Sequence, residues 1–148
     1  MITDIKIREK LDLFRGEIIS SAMRIEFVLG YRLRKFFFPK TNNKATILFW
    51  NVMNTPYLTF DNKISIYGSI PYFQKLKGYH DIVKSLKFVQ RLRNTMAHWT
   101  LDEKQSDLNN IVMFTLVRKY KKITITDSVI EDYRRQIRFL LKKFGYSS

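Results

Sequence analysis

Cysteine is absent from the 148 residues, which excludes both a disulfide and a thiolate metal site. Glycine and proline are sparse, five and three residues, and scattered. That leaves no flexible linker and no glycine-rich loop to cradle a nucleotide phosphate. The only histidines are His80 and His98, and no carboxylate stands at ligand spacing from either, so no zinc site is expected. Long apolar runs are missing too: "ILFW" and "IVMFTLV" fall far short of the ~20 residues that span a bilayer. The opening "MITDIKIREK" carries an early acid and no apolar stretch of signal-peptide length. A cytoplasmic protein without a membrane association is the expectation.

Acidic residues are the other scarcity. Thirteen face twenty-seven lysines and arginines, a formal net charge of +14. A domain this basic repels itself unless an anion is nearby, and the commonest large anion in a cell is nucleic acid. What is abundant is core material: 45% of residues are apolar and 15% aromatic, too much for a disordered tail. At this length a single domain, 1–148, buries roughly two-thirds of the surface its unfolded chain exposes. Solubility, or attraction to an acidic membrane surface, are the plainer explanations of the charge.

Apolar or small residues at Ile7, Leu11, Phe14, Ile18, Ala22, Ile25 and Leu29, continuing through Arg32 to Phe36, form one stripe and predict a long helix over 5–37. Its polar face is basic toward the end, with Arg24, Arg32, Arg34 and Lys35, and Pro39 closes it. "TNNK" marks a turn, and 45–53 reads as a short apolar helix. Residues 58–70 are ambiguous. Ile64, Ile66 and Ile70 alternate as in a strand, while Asp61 could cap a helix. A second clear helix carries Ile82, Leu86, Val89, Arg93 and Met96 on one stripe. The β-branched runs flanking "RKYKK" predict a hairpin over 111–126. A last helix follows, with Ser128 and Glu131 as its capping box, Ile130, Tyr133, Ile137, Leu140, Leu141 and Phe144 as its buried face, and Gly145 as its stop.

The chemistry-bearing stretch is "RLRNTMAHW", 91–99. On a helix Asn94 and His98 share a face, while Arg93 and His98 stand about 140° apart and ~7.5 Å along the axis. An arginine, an asparagine and a histidine around one pocket suit a phosphodiester. Guanidinium grips phosphate oxygens and stabilises transition-state charge. Imidazole can take a proton from a 2′-hydroxyl or return one to the leaving oxygen. The plain alternative is a helix-terminal histidine held by the helix dipole.

"LRNTMAH" resembles the R-polar-x-x-x-H signature of the HEPN superfamily, small helical domains that often act as metal-independent endoribonucleases. "RIEF" on the first helix sits where such domains often show an acid, here Glu26. The order "LTFDNKI", motif helix, hairpin, closing helix also follows one branch of the family, so the likeness covers most of the chain. It implies a mainly α bundle of four to five helices with one β-hairpin before the last helix, and turns 58–70 into a helix. It implies that Arg93, Asn94 and His98 are the catalytic set, with Glu26 a supporting acid. It also implies a homodimer whose two motifs form one composite cleft, with no metal or cofactor, leaving 2′,3′-cyclic phosphate ends on RNA. Such domains are typically microbial toxins or antiviral defence effectors restrained by an antitoxin or regulatory partner protein. Candidate RNA contacts are Arg91 and Trp99 beside the motif and Arg118, Lys119, Lys121 and Lys122 at the hairpin tip. Tyr31 and Tyr72 could also stack on bases, although packing is the ordinary use of such rings. The competing function is a non-catalytic module that binds RNA or a partner protein through its basic face.

Overall fold

Helix α1 spans Ile2–Phe37 without interruption, so it is about 54 Å long. The computed structural model describes residues 2–40, 42–53, 55–56 and 58–146. Ile7, Leu11, Ile18, Ala22, Ile25, Leu29 and Leu33 form the buried stripe of α1, at the helical spacing read from the sequence. The stripe's far end differs from that reading. Arg34, assigned to the polar face, is buried with its guanidinium 4.6 Å from the Tyr31 ring, while Phe36 is partly exposed.

Asn42 starts α2 (Asn43–Leu48) by accepting a hydrogen bond from the Ala45 amide, and the helix runs into a π-helical turn over Phe49–Met53. Residues 60–69 are helical, the outcome expected from the resemblance and against their strand-like alternation. In α3 (Phe60–Ser69) the inward positions are Phe60, Lys63, Ile64 and Tyr67, a helical stripe that includes a lysine. The cap is Thr59, whose Oγ1 accepts from the Asn62 amide, rather than Asp61. A single turn, α4 (Pro71–Gln74), follows with proline at its first position, where no donor is lost.

Helix α5 (Tyr79–His98) leads into a two-residue strand, β1 (Thr100–Leu101). Strands β2 (Asn110–Thr115) and β3 (Lys121–Thr126) make the expected hairpin, and β1 joins it antiparallel to give a sheet ordered β1-β2-β3. Helix α6 (Asp127–Lys143) is capped by Thr126, whose Oγ1 accepts from the Val129 amide; Ser128 does not take that place. Gly145 ends α6 at φ +84°, with its amide bonded to the Lys142 carbonyl and that of Tyr146 to Leu141, a Schellman motif. The described chain is mainly helical, with six α-helical segments and one small antiparallel sheet.

Helix α1 packs against α3, α5 and α6, and one core joins them. Leu29, Leu33, Leu86 and Leu140 are fully buried at its centre. Truncating any one to alanine costs about 2–5 kcal/mol. An aromatic cluster closes one end, where Tyr67 stacks on Phe73 at 4.3 Å and meets Phe144 edge-on. Tyr133 carries the main buried polar link, its hydroxyl donating to the Ile18 carbonyl and lying 2.8 Å from Ser21 Oγ.

Candidate functional site

The segment 91–99 occupies the last two turns of α5 and the residue beyond. Leu92 and Met96 anchor this stretch in the core, and Thr95 is buried with its hydroxyl donating to the Arg91 carbonyl. The remaining positions therefore point outward or along the flanks. Arg93 and Asn94 are half-buried neighbours, and Arg93 Nη1 donates to Asn94 Oδ1 at 3.1 Å. That bond occupies the amide oxygen and leaves the amide N–H donors for a ligand. One turn on, His98 is exposed and makes no hydrogen bond or ion pair among the described residues. Arg93 and Asn94 are thus brought together, whereas His98 is presented separately on the outer crest of the same helix.

The end of the helix is fixed from outside. Trp99 leaves in an extended conformation, its amide still bonded to the Thr95 carbonyl at 2.9 Å. Arg15 of α1 then supplies the donors that the helix terminus lacks. Its Nε donates to the Met96 carbonyl and its Nη2 to the Trp99 carbonyl, both at 3.1 Å. Sequence patterning does not show this residue, because its partner carbonyls are more than eighty positions away.

Arg91, Asn94 and Trp99 line one surface depression of about 440 Å³, together with Lys87, Gln90 and Asp61 of α3. The two motif-flanking candidates named from the sequence, Arg91 and Trp99, thus share a recess with Asn94. The hairpin cluster is linked to this region through β1. Thr100 pairs with Phe114 and Phe114 with Lys122, so the Lys122 backbone lies about 10 Å from that of Thr100 across the sheet. Lys122 itself bonds Gln105. Arg118, at φ +65°, and Lys119 stand farther out on the tip among exposed Leu116, Val117 and Tyr120, with Lys121 at the start of β3.

Glu26 is not at the motif. Its Oε1 accepts from the Nζ of Lys63 at 2.9 Å, and Lys63 is 3% exposed. Glu26 also lies eleven residues beyond Arg15, ~16 Å along α1. It is the counter-ion of a buried lysine, whose charge would otherwise be costly there. Arg134 forms a two-point pair with Glu17, at 2.6 and 2.9 Å, which holds the Glu17 carboxyl below its ordinary range. Burial pushes the Tyr133 hydroxyl up to about 12. No group of three or more metal-ligating side chains occurs among the described residues. No helix among them is long and apolar enough to cross a membrane.

No family model matches the chain, and neither a curated protein nor a solved structure is similar to it.

Proposed function

We propose that the protein is a metal-independent endoribonuclease of the HEPN type, acting through Arg93, Asn94 and His98 of paired copies. The observation that carries this is the Arg93–Asn94 hydrogen bond one turn before an exposed His98, on the terminal turns of a helix whose end Arg15 holds. A guanidinium tied to an amide presents a fixed set of N–H donors to phosphate oxygens. An exposed imidazole one turn further on can accept or return a proton.

Within one copy, Arg93 and His98 diverge by about 140° around the helix. Two copies meeting at the ends of α5 would offer two guanidinium groups and two imidazoles to one phosphodiester. One imidazole takes the proton of the ribose 2′-hydroxyl as O2′ forms its bond to phosphorus. The P–O5′ bond breaks, and the other imidazole, protonated, gives its proton to the 5′-oxygen. Arg93 holds the non-bridging oxygens, where charge builds in the transition state. A 2′,3′-cyclic phosphate remains. A toxin or defence role, with a restraining partner protein, belongs to the same proposal.

The test is cleavage of RNA in EDTA by wild type and by His98→Ala purified identically. Wild type should leave cyclic phosphate ends, and the variant should lose about 10²-fold or more in rate with unchanged melting. Equal cleavage by both, or binding of RNA with no cleavage by either, overturns the proposal. The second outcome favours a non-catalytic RNA-binding module, the function to which a divergent Arg93 and His98 in a lone copy would correspond.

A further inference from the structure

The pole of the molecule opposite the motif carries a second kind of surface. It is built from the last turns of α1, from α4 and from the end of α6. No aspartate or glutamate occurs in residues 27–60, 62–80 or 133–148, so the segments meeting there bring bases and no acids. Two depressions lie side by side on this pole. One, about 370 Å³, is lined by Arg32, Lys35, Phe36, Tyr72 and Phe73. The other, about 330 Å³, is lined by Tyr31, Phe144 and Tyr146 among others, and again by Arg32 and Lys35.

The two shared residues are the decisive feature. Arg32 and Lys35 are three apart on α1 and therefore project from one face, forming a cationic ridge with a hollow on either side. The rings are graded in exposure. Tyr72 is 58% exposed and packs 5.7 Å from Phe36, which rests on buried Phe73 at 5.2 Å. This makes an aromatic platform with a solid base and an open top. Arg32 is steadied by the Phe144 ring, 6.0 Å below its guanidinium. Each hollow falls within the ~300–1,000 Å³ of small-ligand sites.

We infer that this pole binds single-stranded nucleic acid, with a phosphate on the Arg32–Lys35 ridge and a base in each flanking hollow. One base stacks on Tyr72 and Phe36, the other on Tyr31 and Tyr146. Cations that hold a backbone phosphate between aromatic faces bind single strands with little sequence preference. A duplex, whose bases are already stacked on one another, has no open faces for the two hollows. Arg32 lies seventeen residues along α1 from Arg15, ~25 Å from the end of α5, so this is a separate site from the motif. It does not depend on cleavage.

Fluorescein-labelled oligothymidylate is a suitable probe, since it lacks the 2′-hydroxyl that cleavage would need. Tyr72→Ala should weaken its binding about tenfold, and Tyr72→Trp should restore it. Lys35→Gln with Arg32→Gln should lower the slope of log affinity against log salt by about 0.7, the one phosphate that the ridge neutralises on a single strand. Arg32 also packs on Phe144, so Lys35→Gln alone, expected to lower the slope in the same direction by part of that amount, serves if the double variant misfolds. Inorganic polyphosphate should bind with the same affinity to wild type and Tyr72→Ala, because it offers no base. Unchanged oligonucleotide affinity in Tyr72→Ala overturns the inference. So does binding to phosphatidylserine vesicles but not to the oligonucleotide, which would make the pole a membrane contact. Loss of cleavage in His98→Ala with oligothymidylate binding intact would separate this site from the nuclease proposal.

Discussion

The two ends of α1 handle positive charge in opposite ways. Around its first half most of the bases are spent on structure. Arg8 pairs with Glu103, Lys10 with Asp127 and Arg134 with Glu17, ties that join α1 to the loop before the hairpin and to α6. Arg15 is engaged with the carbonyls at the end of α5. Around the last turns of α1 no acid is available in sequence from 27 to 60, and Arg32 and Lys35 line open hollows instead. The net charge of +14 is therefore not an even coating. A bulk charge argues for an anionic partner, but only the pairing pattern says which cations are left to meet it.

The sharpest way to break this contrast is at the motif. On the proposed mechanism, Arg93→Ala should lower RNA cleavage by about 10²-fold or more, because it removes the group proposed to hold the non-bridging oxygens. Lys142→Ala, on the outer face of α6, should leave the rate unchanged, and a cleavage time course separates the two. Arg15→Ala comes next. It strips two carbonyls of a charged donor and should cost about 2–3 kcal/mol, read as a drop in denaturant midpoint. Cleavage should fall with it, since His98 is one residue from the released end.

Smaller effects test the Tyr133 hydroxyl and the part-buried Glu17–Arg134 pair by pH. The Tyr133 hydroxyl titrates at about 12 in the fold against 10.0 ordinarily, so the folded state binds that proton more tightly. Its contribution is complete below the ordinary value and is lost as pH rises through 12. Tyr133→Phe should cost about 1 kcal/mol at neutral pH and should flatten the alkaline fall in stability. Glu17 runs the other way: Arg134 lowers its carboxyl, so its contribution is present above the ordinary carboxylate range and is lost on acidification. Glu17→Gln should flatten that acid limb in pH-dependent urea melts. Least of all, Arg8→Ala removes an exposed pair and should change stability by no more than about 1 kcal/mol.

Much of the fold was legible because its elements are long and one-sided. The stripes of α1, α5 and α6, the hairpin and the Gly145 stop all follow from spacing. Two of the failures share a cause, partners remote in sequence, and a third is local. Residues 58–70 alternate like a strand, yet the true inward stripe includes Lys63, a position no pattern assigns to a core until Glu26 is seen beside it. Strand β1 has two residues and exists only because β2 lies alongside. Thr126, rather than Ser128, caps α6 because β3 runs directly into it. At the site, the neighbouring pair Arg93 and Asn94 was visible in sequence. The Arg15 clamp and the recess shared by Arg91, Asn94 and Trp99 were not, since both depend on helix crossings.

The Arg15 clamp also bears on motion. Helix ends ordinarily fray, and their amides exchange with solvent through local opening that leaves the rest of the fold intact. Here the last turn of α5 cannot open without detaching from α1, whose stripe runs through the core. The amides of Met96 and Trp99 should thus exchange nearly as slowly as those at the middle of α5. A terminal turn that opens only when the Arg15 bonds break keeps the backbone under Arg93, Asn94 and His98 in one conformation between encounters.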